Sequence, residues 1–170
     1  MADTLTLYKL IVLKMLDEAD APLTGAQITD FILEKEYTNY FTLQQVLSEM
    51  SETGLVTVAS TRNSSLYRIT DSGRHTLKYF GDKVSDTICG EITSFLQEHQ
   101  IEIRNALSNI ADYFPSNAGG YLLRCQVREH NSTLIDLTLS VPSKEEADSI
   151  CHNWQKKSQT LYAYVMKELL

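Results

Sequence analysis

The sequence predicts an α+β fold built in two parts, and three observations carry that prediction. Apolar residues recur at helical spacing between residues 5 and 80, and most of these runs are opened or closed by a recognisable cap. Two short alternating runs, Leu55–Ser60 and Leu66–Thr70, follow the third helical segment and are separated by turn-forming residues. A second alternating pair, 121–128 and 134–141, lies between two further helical segments. The composition agrees: 170 residues with 43% hydrophobic and 22% charged suit a folded chain and exclude wholesale disorder.

The first helix, Leu5 to about Glu18, carries Leu5, Tyr8, Val12, Met15 and Leu16 at helical spacing. Leu7, Leu10, Ile11 and Leu13 widen its apolar arc, so it should be buried on most sides. The second starts at Leu23-Thr24-Gly-Ala-Gln27-Ile28. There Thr24 caps the Gln27 amide, Gln27 reaches back, and Leu23 packs on Ile28. The third repeats that signature at Phe41-Thr42-Leu-Gln-Gln45-Val46, which predicts Thr42 as cap and a Phe41–Val46 staple. Its buried stripe should be Leu43, Val46, Leu47 and Met50, ended by Gly54 with Leu55 folding back. The hairpin Leu55–Ser60 and Leu66–Thr70 follows, then Asp71-Ser-Gly73 opens a fourth helix bearing Leu77 and Phe80.

Gly54-Leu55-Val56, the hairpin, and Tyr67-Arg-Ile-Thr70-Asp-Ser-Gly73 before a helix resemble the winged-helix domains of PadR-like and MarR-like bacterial regulators. In those families the Thr or Asp caps the helix after the wing. The whole chain is similar to a bacterial winged-helix family of unknown function described only as PadR-like. The resemblance implies an N-terminal winged helix-turn-helix over residues 1–81. It also implies that helices after the wing pair two copies, so that two reading heads meet DNA.

After Gly81, Val84, Ile88, Ile92, Phe95 or Leu96, Ile103, Leu107, Ile110 and Phe114 keep a helical period until Pro115. This predicts one long connecting helix, with a bend near Gln100. Beyond the linker Asn117-Ala-Gly-Gly120, residues whose numbers sum to 262 should pair, placing Val127 opposite Ile135 and Cys125 opposite Leu137. Ser143-Lys-Glu-Glu146 opens the last helix, with Ala147, Ile150, Cys151, Trp154, Leu161, Val165 and Leu169 inward. Residues 82–170 thus read as an α-β-β-α unit, a β-hairpin packed by helices. Dimerisation or the sensing of an unidentified small-molecule effector would be its role.

The outward face of the third helix presents Gln44, Gln45 and Ser48, which can pair with base edges in a major groove. Asn39 and Tyr40, just before it, could hold backbone phosphate. Arg62 and Asn63 at the hairpin tip and Arg68 on its second strand are placed to anchor a phosphate or enter a minor groove. The plainer readings are a solvated helix face and an ordinary polar turn. Glu49 and Glu52 on that helix would repel phosphates. Arg74 and Lys78 add cations on the next helix.

The net charge of −7 is spread evenly: residues 1–81 hold 7 Lys and Arg against 10 Asp and Glu, and residues 82–170 hold 8 against 12. DNA binding would therefore need local clustering and a dimer. Cys89, Cys125 and Cys151 lack metal-ligand spacing and fit apolar positions, so buried thiols are expected. No catalytic triad, phosphate-cradling loop or paired carboxylates appear, so neither an enzyme nor a cofactor or metal site is expected. Nor does any run reach 18 apolar residues, and no leader pattern is visible, so a soluble, cytoplasmic protein with no membrane contact is expected. The expected function is a homodimeric transcriptional regulator that binds double-stranded DNA. The other class the residues allow is a winged-helix module for protein–protein interaction.

Overall fold

A computed structural model describes residues 2–60, 64–129 and 132–170. The chain divides into two compact units, the second beginning at Glu102. The division lies beyond the boundary expected at Gly81.

The first unit runs α1 (Ala2–Ala19), β1 (Leu23–Thr24), α2 (Gly25–Glu34), α3 (Tyr40–Glu52), β2 (Val56–Ser60), β3 (Ser65–Ile69), α4 (Asp71–Phe80) and α5 (Asp86–Glu98). As its wide apolar arc requires, α1 is the central helix, with Leu10, Ile11, Leu13, Met15 and Leu16 all but inaccessible. The expected stripes of Ile28, Phe31 and Ile32 on α2 and of Leu43, Val46, Leu47 and Met50 on α3 are buried beside it. The three strands form one antiparallel sheet in the order β1-β3-β2, with Leu23 opposite Tyr67 and Val56 opposite Ile69.

Helix ends explain the chain path. Thr24 and Gln27 exchange the two bonds of a capping box on α2. Gly54 sits at φ +77, where the Leu55 amide reaches the Met50 carbonyl at 2.9 Å and the Gly54 amide reaches Ser51 at 3.2 Å. This pair of hydrogen bonds turns the chain out of α3 directly into β2. Thr70 caps α4 by accepting from the Gly73 amide at 3.0 Å, while its hydroxyl donates to the Gly54 carbonyl at 2.6 Å. One side chain thus ties the end of α3 to the start of α4.

α5 belongs to this first unit, which is why the division lies after it. Phe95 packs on Phe31 with ring centroids 5.2 Å apart, and the Tyr37 hydroxyl donates to the Glu91 carboxylate. Burial and that carboxylate together push the Tyr37 phenol above its ordinary range.

The long connecting helix expected to reach Pro115 is not formed. The chain leaves helical geometry at His99, continues as α6 (Gln100–Ser108), and becomes the strand β4 (Asn109–Pro115). Ile110 and Phe114 stand four apart, a spacing that suits one face of a strand as well as one face of a helix. What decides is pairing: β4 lies antiparallel to β5 (Tyr121–Glu129), with Ala111 opposite Cys125 and Tyr113 opposite Leu123. The second unit is therefore α-β-β-β-α rather than α-β-β-α.

Its sheet is ordered β4-β5-β6, with β6 spanning Ser132–Val141 and α7 spanning Lys144–Leu169. The expected register holds from Tyr121 opposite Val141 through Cys125 opposite Leu137 to Val127 opposite Ile135. There Leu134 is inserted as a bulge and Arg128 meets Thr133. Ala111, Tyr113, Leu123, Cys125 and Val127 form the covered face, with Ala147, Cys151 and Trp154 of α7 above them. Beyond Ser158 the helix runs on with Leu161 and Val165 half-buried. Leu169, expected inward, is exposed.

The other face of this sheet carries a polar cluster. Arg124 grips Asp136 with two bonds of 3.0 and 2.7 Å, and Gln126 Nε2 donates to the same carboxylate at 2.9 Å. These donors, Arg124 first, hold the Asp136 carboxyl down to about 2. Because the folded value lies below the unfolded one of about 3.9, the cluster stabilises at pH values above that point. Its contribution should be lost as pH falls from about 4 through 2. A carbon-detected NMR titration should place Asp136 near 2 in the wild type and return it to the ordinary carboxylate range in Arg124→Ala. An unmoved Asp136 in that variant would refute the assignment of cause.

Candidate nucleic-acid interface

α2 and α3 are joined by the five residues 35–39, and the polar side of α3 faces away from the core of its unit. The cap of α3 differs from the sequence expectation. Asn39, not Thr42, is the cap, its Oδ1 accepting from the Thr42 amide at 2.9 Å. Asn is among the strongest N-cap residues, and its use starts the helix three residues earlier. Phe41 then falls inside the first turn, 83% exposed, so the expected staple to Val46 is absent. Its ring lies edge-on to Tyr40, itself half exposed, at 5.8 Å.

The structure brings Gln44, Gln45 and Ser48 onto one side of α3, with Gln45 and Ser48 exposed and Gln44 half-buried. Two of them already have carboxylate partners one turn on. Gln45 Nε2 donates to Glu49 at 3.0 Å and the Ser48 hydroxyl donates to Glu52 at 3.3 Å. Glu49 is also reached by Lys9 of α1, Nζ to Oε2 2.7 Å. Those donors, Lys9 foremost, hold the Glu49 carboxyl below its ordinary value. Lys9 was not legible as a site residue, because only the packing of α1 against α3 brings it there.

Arg68 is exposed on β3 opposite Thr57, at the rim of an open depression of about 150 Å³ that includes Pro22, Ala59 and Leu66. Arg62 and Asn63, the hairpin-tip residues, lie outside the described residues. Arg74 is shared between Asp17 at 3.4 Å and Asp71 at 3.6 Å, so its charge is answered locally. Lys9 and Arg74 are thus both answered by carboxylates of their own unit.

Cys125 and Cys151 are buried free thiols, and burial first, with Cys151 second, pushes the Cys125 thiol up to about 12. Cys89 is half-buried. Among the described residues no three His, Cys, Asp or Glu side chains are grouped to share a metal ion. No helix among them is long and apolar enough to cross a membrane.

Architecture and surface define a mixed α+β protein with two antiparallel sheets and a two-helix element that presents a polar face. The chain belongs to the family described as Domain of unknown function (DUF4364), whose model matches residues 8–169. No curated protein and no solved structure matches the chain.

Proposed function

We propose that the protein is a winged-helix transcriptional regulator that binds double-stranded DNA as a homodimer. The observation that supports this most is the order α1-β1-α2-α3-β2-β3 with sheet order β1-β3-β2, which mounts α3 with its amide and hydroxyl side chains outward beside a hairpin. In this reading Gln44, Gln45 and Ser48 contact bases, exchanging their bonds to Glu49 and Glu52 for bonds to the major-groove edge. Asn39 and Tyr40 stand beside the backbone, and Arg62, Asn63 and Arg68 of the hairpin hold phosphates. In this reading the second unit pairs the copies and senses a small-molecule effector. The protein is then not an enzyme, needs no cofactor and works in the cytoplasm. The likeness to PadR-like regulators belongs to this proposal.

Fluorescence polarisation with a random duplex tests the reading. With few cations available, binding should be micromolar at low salt and weaken steeply as salt rises. Arg68→Ala should reduce the slope of log K against log salt by about 1 per protomer. Binding that is absent at 100 mM salt and at 10 mM alike would sink the DNA reading. The Lys9–Glu49 pair, the answered Arg74 and the exposed Tyr40–Phe41 pair favour a second reading in that event: α3 meets a protein rather than DNA.

A further inference from the structure

We propose that two copies of the chain join edge to edge through β6, in an antiparallel register in which paired residue numbers sum to 276. The proposal takes the homodimer of the reading above and names its interface, and it stands or falls without DNA.

The two edges of the second sheet are treated differently. Along β4 the backbone is answered by side chains: the Tyr113 amide donates to Asp112 Oδ1 at 2.8 Å, and the Asn109 carbonyl accepts from Gln155 Nε2 at 3.3 Å. β4 also ends in Pro115. Such devices protect an edge from pairing. Along β6 no side chain answers the backbone among the described residues, and the bulge at Leu134 and the Pro142 that follows the strand both lie outside residues 135–141. Its ten residues include no Lys, Arg or Pro, and its one acid, Asp136, is already held by Arg124 and Gln126. The unprotected, nearly uncharged stretch 135–141 is a template for another strand.

The strand is complementary to itself in one register. Ile135, Leu137, Leu139 and Val141 share one face, and Asp136, Thr138 and Ser140 the other. Odd sums would set the apolar row against the polar one. A sum of 272 would put Asp136 opposite its own copy, like charge on like charge. A sum of 274 leaves Val141 against Thr133, and 278 carries Ile135 beyond the partner strand to Ser143. A sum of 276 pairs Ile135 with Val141 and Leu137 with Leu139, each twice. It also sets Asp136 opposite Ser140, a hydroxyl that can donate to it. Thr138 then lies on the two-fold axis facing itself, a cross-strand pair that hydrogen-bonds well.

Thr138 is exposed and its neighbour within the chain is Arg124, so substitutions there leave the core alone. In a full-length Cys89→Ser background, Thr138→Cys should be linked into a covalent dimer by a short bis-maleimide. Ser132→Cys, whose copy would lie about 40 Å away, should not be linked. Thr138→Asp places two carboxylates face to face and should weaken the dimer at least tenfold in sedimentation equilibrium, with unchanged circular dichroism. A monomer at 100 μM wild-type protein, an unweakened Thr138→Asp dimer, or equal linking at 132 and 138 would each overturn the interface. DNA binding by a chain that fails these tests keeps the regulator reading, and a β6 dimer indifferent to duplex DNA rejects that reading alone.

Discussion

Gly73→Ala should cost about 3 kcal/mol, although the same exchange in an open helix is favourable by about 0.5–1 kcal/mol. A Cβ on Gly73 would stand 2.3 Å from the Leu55 carbonyl oxygen, 2.9 Å from Ile69 Cγ1 and 3.1 Å from Leu13 Cδ2. The first of these is backbone, and it is pinned by the Thr70 amide at 3.1 Å and the Thr70 hydroxyl at 3.0 Å. It cannot retreat without opening the junction of α3, β2 and α4. Gly90 on α5 is the control, since nothing lies within 4 Å of its added Cβ. Urea denaturation followed by circular dichroism should show Gly73→Ala unfolding well before the wild type and Gly90→Ala slightly after it. Equal midpoints for the two variants would contradict the close approach.

Trp154→Ala should be the most damaging change in the second unit, at about 3–5 kcal/mol. Trp154 is 4% exposed in the cluster between α7 and the sheet, and its indole N–H donates to the Gln126 carbonyl at 3.1 Å. Truncation removes the largest ring of that cluster and leaves a carbonyl without its donor. Trp154→Phe restores most of the packing but not the bond, so about 1 kcal/mol should remain. Trp154 is also the chain's one tryptophan. Wild-type fluorescence therefore follows the second unit, whereas circular dichroism follows both. The variants are compared by urea midpoint in circular dichroism, and a Trp154→Phe loss as large as that of Trp154→Ala would show that the bond, not the packing, dominates.

Local chemistry was legible wherever a signal stays within a few residues. The Thr24–Gln27 box, the Gly54 turn and the pairing of Cys125 with Leu137 all follow from short-range pattern, while the resemblance offered Thr70 or Asp71 as the cap of α4 and it is Thr70. Two misreadings share one cause. Thr42-x-x-Gln45 and Asn39 compete for the same role, and Asn39 prevails because its side chain reaches the Thr42 amide. Ile110 and Phe114 fit helix and strand alike, and only a partner strand beginning at Tyr121 selects between them. In the candidate interface, the polar face of α3 was visible from residue spacing. Its electrostatics were not, because Lys9 and Glu49 stand forty positions apart.

The two residues of β1 have a consequence for how the first unit opens. Pairing Leu23 with Tyr67 and Thr24 with Leu66 closes a long loop that contains all of α2, α3 and β2. Entropy lost in such a closure is recovered when the β1–β3 pairing itself parts. A helix that unravels while this pairing holds remains a tethered loop and gains less entropy than a free end would. The tether thus favours joint opening of the hairpin and the two helices, which share one core, over the loss of either helix alone.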